Sequence, residues 1–123
     1  MSQYLPKLAL AAAAASVTLA TSSHATPSTS RGQISVAQVL QMLDRSPTDQ
    51  TARQVLTAYL AGVGEAASAV TSVGGATCRA TLSLSADTAR RALKTVAARD
   101  MAETPATVLI VKDALNRAGC KPQ

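Results

Sequence analysis

Apolar residues recur along this chain at the three-and-four spacing of an α-helix in four separate stretches. The first puts Val36, Val39, Leu40 and Leu43 on one face. Ser35 with Gln38 three residues on forms a capping box, and Ile34 is placed to staple against Val39. Asp44-Arg45-Ser46-Pro47 ends this helix, because the residue before a proline avoids helical backbone. The second stretch predicts the longest helix, with Ser46 as cap, Pro47 in the first position and Asp49 in the first turn. Ala52, Val55, Leu56, Tyr59, Leu60 and Val63 mark its face, and it runs to about Ala69 or Val70. Gly62 and Gly64 lie inside it at up to about 1 kcal/mol each relative to alanine. Close approach of a neighbouring helix offsets that cost, and Ala58, Ala61, Ala66 and Ala67 would allow it too.

The third stretch is "SADTARRALKTVAAR", capped by Ser85, with Ala89, Ala92, Leu93, Val96 and Ala97 inward. Arg90, Arg91 and Lys94 cluster on its other side, and Asp87 stands one turn ahead of Arg91 as an i, i+4 pair. That basic stripe reads either as an ordinary solvated face or as a surface that docks on an acidic partner. The fourth helix opens at Thr104-Pro105 by the same cap-then-proline device and closes at Gly119. Val108, Leu109, Ile110, Val111, Ala114, Leu115 and Ala118 make it apolar around much of its circumference. Such a helix is either the centre of a bundle or buried in a homodimer. Between the second and third helices, Thr71–Leu84 is broken by Gly74-Gly75 and filled with Ser and Thr, so it reads as a loop. The fold class is therefore all-α: a small four-helix bundle with one longer central loop.

The first 25 residues add a compartment. Lys7 precedes the apolar run Leu8–Ala20, and a polar stretch ends in Ser23-His24-Ala25. The run is short of the roughly 20 apolar residues a membrane span needs, and the small residues fit a signal peptidase. The expected organisation is a signal peptide over 1–25 cleaved between Ala25 and Thr26, a disordered polar lead over 26–33, and a helical domain over 34–123. A buried alanine-rich helix is the other reading of the run. Export makes the expected product a soluble periplasmic protein, since no later apolar run is long enough for stable membrane insertion.

An oxidising compartment also gives a meaning to the only two cysteines, Cys78 in the loop and Cys120 just past the fourth helix. An even pair there is read first as a disulfide that pins the loop; two separate thiols are the alternative. Losing Lys7 takes the formal net charge from +5 to +4. That mild basic balance, outside the cytoplasm, argues for an acidic protein partner or an anionic envelope surface and against nucleic acid.

Catalysis finds little material. His24, the only histidine, leaves with the signal peptide, which removes Ser-His-Asp and Cys-His arrangements. The chain has no Trp or Phe, and Tyr59 is the one aromatic residue left after cleavage. It is read as a core residue with a bonded hydroxyl sooner than as a ligand contact. Asp100 and Glu103 stand three apart, as a carboxylate pair might, but in a polar connection where capping charges are ordinary. The expectation is a binding protein with no enzymatic activity, no cofactor and no metal.

The order of features then resembles a known family. "AYLAGV" (Ala58–Val63), a loop cysteine, an amphipathic helix, "TP", "A-x-x-LIV-x-x-AL" (Ala106–Leu115) and a near-terminal cysteine look like the Tai-like (Rap/Tai) immunity proteins of type VI secretion. The likeness covers roughly Gln38–Cys120, with Tyr59 and Gly62 matching a Tyr-x-x-Gly pair and Ala80 standing where a proline is common. It implies a stoichiometric inhibitor of a peptidoglycan-amidase effector that occludes the amidase cleft with a loop, often as a homodimer. No contact motif carries over. On physical grounds the loop Thr71–Leu84 is the candidate, because a covalent anchor lowers the ordering cost of binding; a plain connection is the other reading. Gly74, Gly75 and Arg79 there, with Arg90, Arg91 and Lys94 on the third helix, are the candidate partner contacts. A periplasmic envelope-stress chaperone, or an accessory protein of a secretion or conjugation apparatus, are the competing functions.

Overall fold

In the computed structural model, residues 28–121 are described. The expected signal peptide and its cleavage point at Ala25–Thr26 lie outside them. Four helices follow one another: α1 (Val36–Arg45), α2 (Gln50–Val73), α3 (Ala86–Leu93) and α4 (Ala106–Arg117). A single 3₁₀ turn, Ala98–Asp100, lies between α3 and α4. Among the described residues there is no β-strand, only two isolated bridges, Ser35 with Pro105 and Thr77 with Lys121. The chain is all-α.

The first capping box forms as its sequence requires: Ser35 Oγ accepts from the Gln38 amide at 3.1 Å, and the Ser35 amide donates to Gln38 Oε1 at 2.9 Å. Two more of the first N–H groups of α1, which a helix cannot satisfy internally, find carbonyls in the connection before α4. Val36 donates to Thr104 O and Ala37 to Met101 O. In return the Ala106 amide, at the start of α4, donates to Ile34 O at 2.9 Å. The starts of α1 and α4 are thus spliced by backbone hydrogen bonds between residues some 70 apart in sequence.

The expected start of α2 needs correction. Ser46 is the C-cap of α1, its amide bonded to Met42 O, and Asp49 is the true N-cap, accepting from the Ala52 amide at 3.1 Å. The cap-then-proline reading failed because Arg45 O accepts from Asp49 N, so the chain completes one more turn before α2 begins. α4 departs similarly: Pro105 is its N-cap, and Thr104 Oγ1 donates back to Asp100 O. α3 is shorter than its sequence suggests, ending at Leu93 with Lys94 as cap. Thr95 Oγ1 bonds Ala92 O there, competing with the helical ladder. The lead expected to be disordered over 26–33 is, from Ser28, a hydrogen-bonded turn. Thr29 is buried, Gly32 takes φ +73°, and Ser30 donates from both N and Oγ to Glu103 Oε2.

The core gathers Val36, Val39 and Leu43 of α1, Leu56 and Val63 of α2, Ala89 and Leu93 of α3, and Ala106 and Ile110 of α4. α4 packs on both α2 and α3, while α1 packs on α2 and α3. Some of the expected inward set turns out: Val55 is half exposed, and Val108 is 61% exposed. Gly62 meets open space, and the neighbour of Gly64 is Leu84 of the central loop, not another helix. Ala58, Ala61 and Ala66 are likewise exposed, and only Ala67 of that set is buried. Tyr59 is half-buried as expected, its hydroxyl 2.9 Å from Thr107 Oγ1, and burial raises its pKa.

Leu93→Ala, at a fully buried site, should lower the unfolding free energy by about 2–5 kcal/mol, whereas Val108→Ala should change it by less than about 0.5 kcal/mol; urea melts separate the two. The hydrogen bond from the Ala52 amide, with help from Arg45 and against partial desolvation, holds the Asp49 carboxyl below its ordinary range. A depressed carboxylate stabilises the fold above its unfolded pKa and loses that effect as pH falls through the folded one. Thermal melts from pH 7 to pH 2 should therefore show a smaller acid-side fall in Asp49→Asn, which keeps the cap without the charge.

Candidate functional site

Both α2 and α4 end in a glycine with left-handed backbone, Gly75 at φ +62° and Gly119 at φ +64°. In each case the following amide turns back to the helix: Ala76 N donates to Thr71 O and Cys120 N to Leu115 O. These are Schellman ends, in which glycine supplies the conformation that other residues avoid. They reverse the two chains so that the segments just beyond them meet. Thr77 and Lys121 exchange both backbone hydrogen bonds, at 3.1 and 2.9 Å, and Cys78 is disulfide-bonded to Cys120. Ala118 O, an orphan carbonyl at the end of α4, accepts from both Arg79 N and Ala80 N.

The rest of the central loop is tied by one side chain. Arg117 donates to Ser83 O and to Ser83 Oγ, while its Nε contacts Asp113 at 2.7 Å. Leu82 and Leu84 are half-buried, lining a recess against Gly64 and Ser68 of α2. What remains is a presented tip. The last core residue of α2 is Ala67, after which Val70 is 58% and Val73 91% exposed. Gly74, Gly75, Thr77 and Arg79 are exposed beside them. The Arg79 stem lies over Gly119, where an added Cβ would stand 3.2 Å from its Cδ.

The candidate contacts therefore divide. Gly74, Gly75 and Arg79 all fall in the exposed segment after α2, with the Arg79 stem on Gly119. Arg90 does not join Arg91 and Lys94 as a free stripe: it forms an ion pair with Asp44 of α1 at 2.6 Å. The pair expected between Asp87 and Arg91 is not formed, and Arg91 is instead on the wall of an open cleft of about 370 Å³ between α3 and α4. Lys112 of α4 faces the same cleft, which has Ala92 and Leu109 as its apolar lining. Sequence reasoning missed Lys112, though its spacing from Val108 and Leu109 places all three on one side of α4.

Asp100 and Glu103 act as structural ties, one to its neighbour Arg99 and one to the turn at Ser30. Asp100 lies 3.7 Å from Arg99, and the Ser30 hydrogen bonds lower the Glu103 pKa. Among the described residues, no group of three or more His, Cys, Asp or Glu is placed to hold a metal ion, and no helix is long and apolar enough to cross a membrane. In comparisons with known proteins, no family model matches the chain, and no curated protein or solved structure does either.

The disulfide spans 42 residues of chain, so on the chain-entropy account its loss costs on the order of 4 kcal/mol. The Cys78→Ala/Cys120→Ala double variant should unfold earlier in urea by an amount approaching that figure. Its Thr77, Arg79 and Ala80 amides should lose hydrogen-exchange protection before those of α1. Equal protection with and without the bond would show that the backbone bridge alone holds the loop.

Proposed function

We propose that this chain is an exported periplasmic protein that works by binding, blocking a peptidoglycan-amidase effector of type VI secretion as immunity proteins do. The observation that carries the reading is the exposed tip formed by Val70, Val73 and Gly74–Arg79, fastened from behind by the Cys78–Cys120 bond. An inserting loop loses conformational freedom on binding, and a covalent anchor removes part of that loss beforehand. Val70 and Val73 supply apolar area to bury, and the polar backbone of the glycine turn supplies hydrogen-bonding groups around it.

A disulfide fits an oxidising compartment, which supports export of the chain from Thr26. The amidase as partner is supported by the likeness of sequence features: Tyr59 with Gly62, the loop and terminal cysteines, "TP", and the run through Leu115. Tyr59 has a scaffold role within that likeness, since its hydroxyl ties α2 to Thr107 of α4.

In periplasmic extract, the chain should begin at Thr26 and shift on gels when reduced. One equivalent of it should suppress sacculus digestion by a type VI amidase effector of the same cell. Replacing Gly74–Ala76 with three residues of ordinary backbone preference should weaken that inhibition at least about tenfold while leaving the helical signal unchanged. Undiminished inhibition by the replacement would remove the tip from the mechanism, and failure of the parent protein to inhibit or bind would remove the amidase.

A further inference from the structure

The α3–α4 cleft is a second surface with its own chemistry. Its apolar lining is Ala92 and Leu109, and exposed Val108 adjoins Leu109 on α4. Its cations are Arg91 on the α3 side and Lys112 and Arg117 on α4. Arg117 is neutralised by Asp113 at 2.7 Å and spent on Ser83. Arg91 and Lys112 are exposed, and neither makes an ion pair or side-chain hydrogen bond among the described residues. Two unpaired charges of one sign thus stand on opposite walls of a groove.

We propose that this cleft takes an acidic peptide segment of a protein partner, with carboxylates on Arg91 and Lys112 and an apolar side chain between them over Leu109. Charge complementarity chooses the sign of the occupant, and the apolar lining chooses its kind. A free phosphate would engage the cations and leave Leu109 wet; a peptide of mixed acidic and apolar residues uses both. The stretch of α4 from Leu109 to Arg117 rises about 12 Å, enough for roughly four residues of extended chain. The inference goes beyond the amidase reading, and its test requires no amidase.

The probe is a short fluorescein-labelled peptide of alternating Glu and Leu, titrated by anisotropy into the disulfide-intact protein. Controls are the same peptide with Gln or with Lys in place of Glu, and phosphatidylglycerol vesicles. The expected result is saturable binding of the Glu peptide that weakens with added salt. It should fall at least about tenfold in Arg91→Glu/Lys112→Glu and by less in Arg91→Gln/Lys112→Gln, while Arg53→Glu on α2 leaves it unchanged. Circular dichroism checks that each variant is folded; both positions are exposed, so their helices should persist. Absence of Glu-peptide binding, equal binding of the Gln peptide, or equal weakening by Arg53→Glu would overturn the proposal. Vesicle binding that depends on Arg91 and Lys112 more strongly than peptide binding does would replace it with a membrane surface.

Discussion

The end of α4 is where this molecule is closed. Ala118 O, Gly119 and Cys120 receive, within three residues, two backbone hydrogen bonds from the loop, the stem of Arg79 and a covalent bond to Cys78. Without that junction the segment from Gly74 to Ser85 would rest on the Ala76 and Thr77 backbone bonds, on Leu82 and Leu84 and on the Arg117 contacts. Neither leucine is fully buried, so hydrophobic burial there is small. The junction has a directional logic: helix ends leave carbonyls without partners, and a neighbouring extended segment has amides to spare. Each supplies what the other lacks, and the disulfide keeps the arrangement from having to be found again after every opening.

A comparable exchange closes the opposite side of the sequence, where the start of α1 takes carbonyls from Met101 and Thr104 and the start of α4 takes Ile34 O. Both splices matter because the core is built from modest side chains. Its largest fully buried members are leucine, isoleucine and valine, with no Phe or Trp anywhere in the chain. Ala67, Ala89, Ala106 and Ala114 fill much of the rest. Small side chains let elements approach closely, yet each removes little apolar surface from water. Polar and covalent ties at the helix ends therefore have a larger share of the work of fixing one arrangement here than in a domain cored by aromatics.

Local chemistry was legible in the sequence, and long-range exchange was not. The capping box at Ser35, the cap at Ser85, the glycine end at Gly119, the buried periodicity of Val36, Val39 and Leu43, and the pairing of Cys78 with Cys120 all depend on nearby residues or on simple counting. The starts of α2 and α4 were misplaced because Asp-Arg-Ser-Pro and Thr-Pro admit two local solutions. For α4 the choice is made from across the fold, by Ile34 O holding Ala106 N; for α2 it is made within one turn, by Arg45 O holding Asp49 N, one of two solutions that local sequence leaves equally open. Gly62 and Gly64 were read alike from sequence and have different surroundings, open space for one and Leu84 for the other. The basic stripe divided for the same reason, since Asp44 of α1 reaches Arg90 and leaves Arg91 to the cleft.

The distribution of charge then bears on how such a scaffold meets a partner. Three of its ion pairs sit at joints: Arg45 with Asp49 where α1 turns into α2, Arg90 with Asp44 between α3 and α1, and Arg117 with Asp113 behind the central loop. Each is exposed in part, so each contributes little to stability by itself; their positions suit them to setting geometry. Arg91, Lys112 and Arg79 serve no such joint. An exposed charge that folding does not use is free to act on an approaching molecule, and its field acts before contact, raising the encounter rate for a partner of opposite sign. Arg79 stands in the loop that follows exposed Val70 and Val73, and Arg91 and Lys112 on the cleft beside exposed Val108. Attraction at a distance and burial at contact are thereby available at the same places, which is the combination that a binding surface requires and a uniformly solvated face lacks.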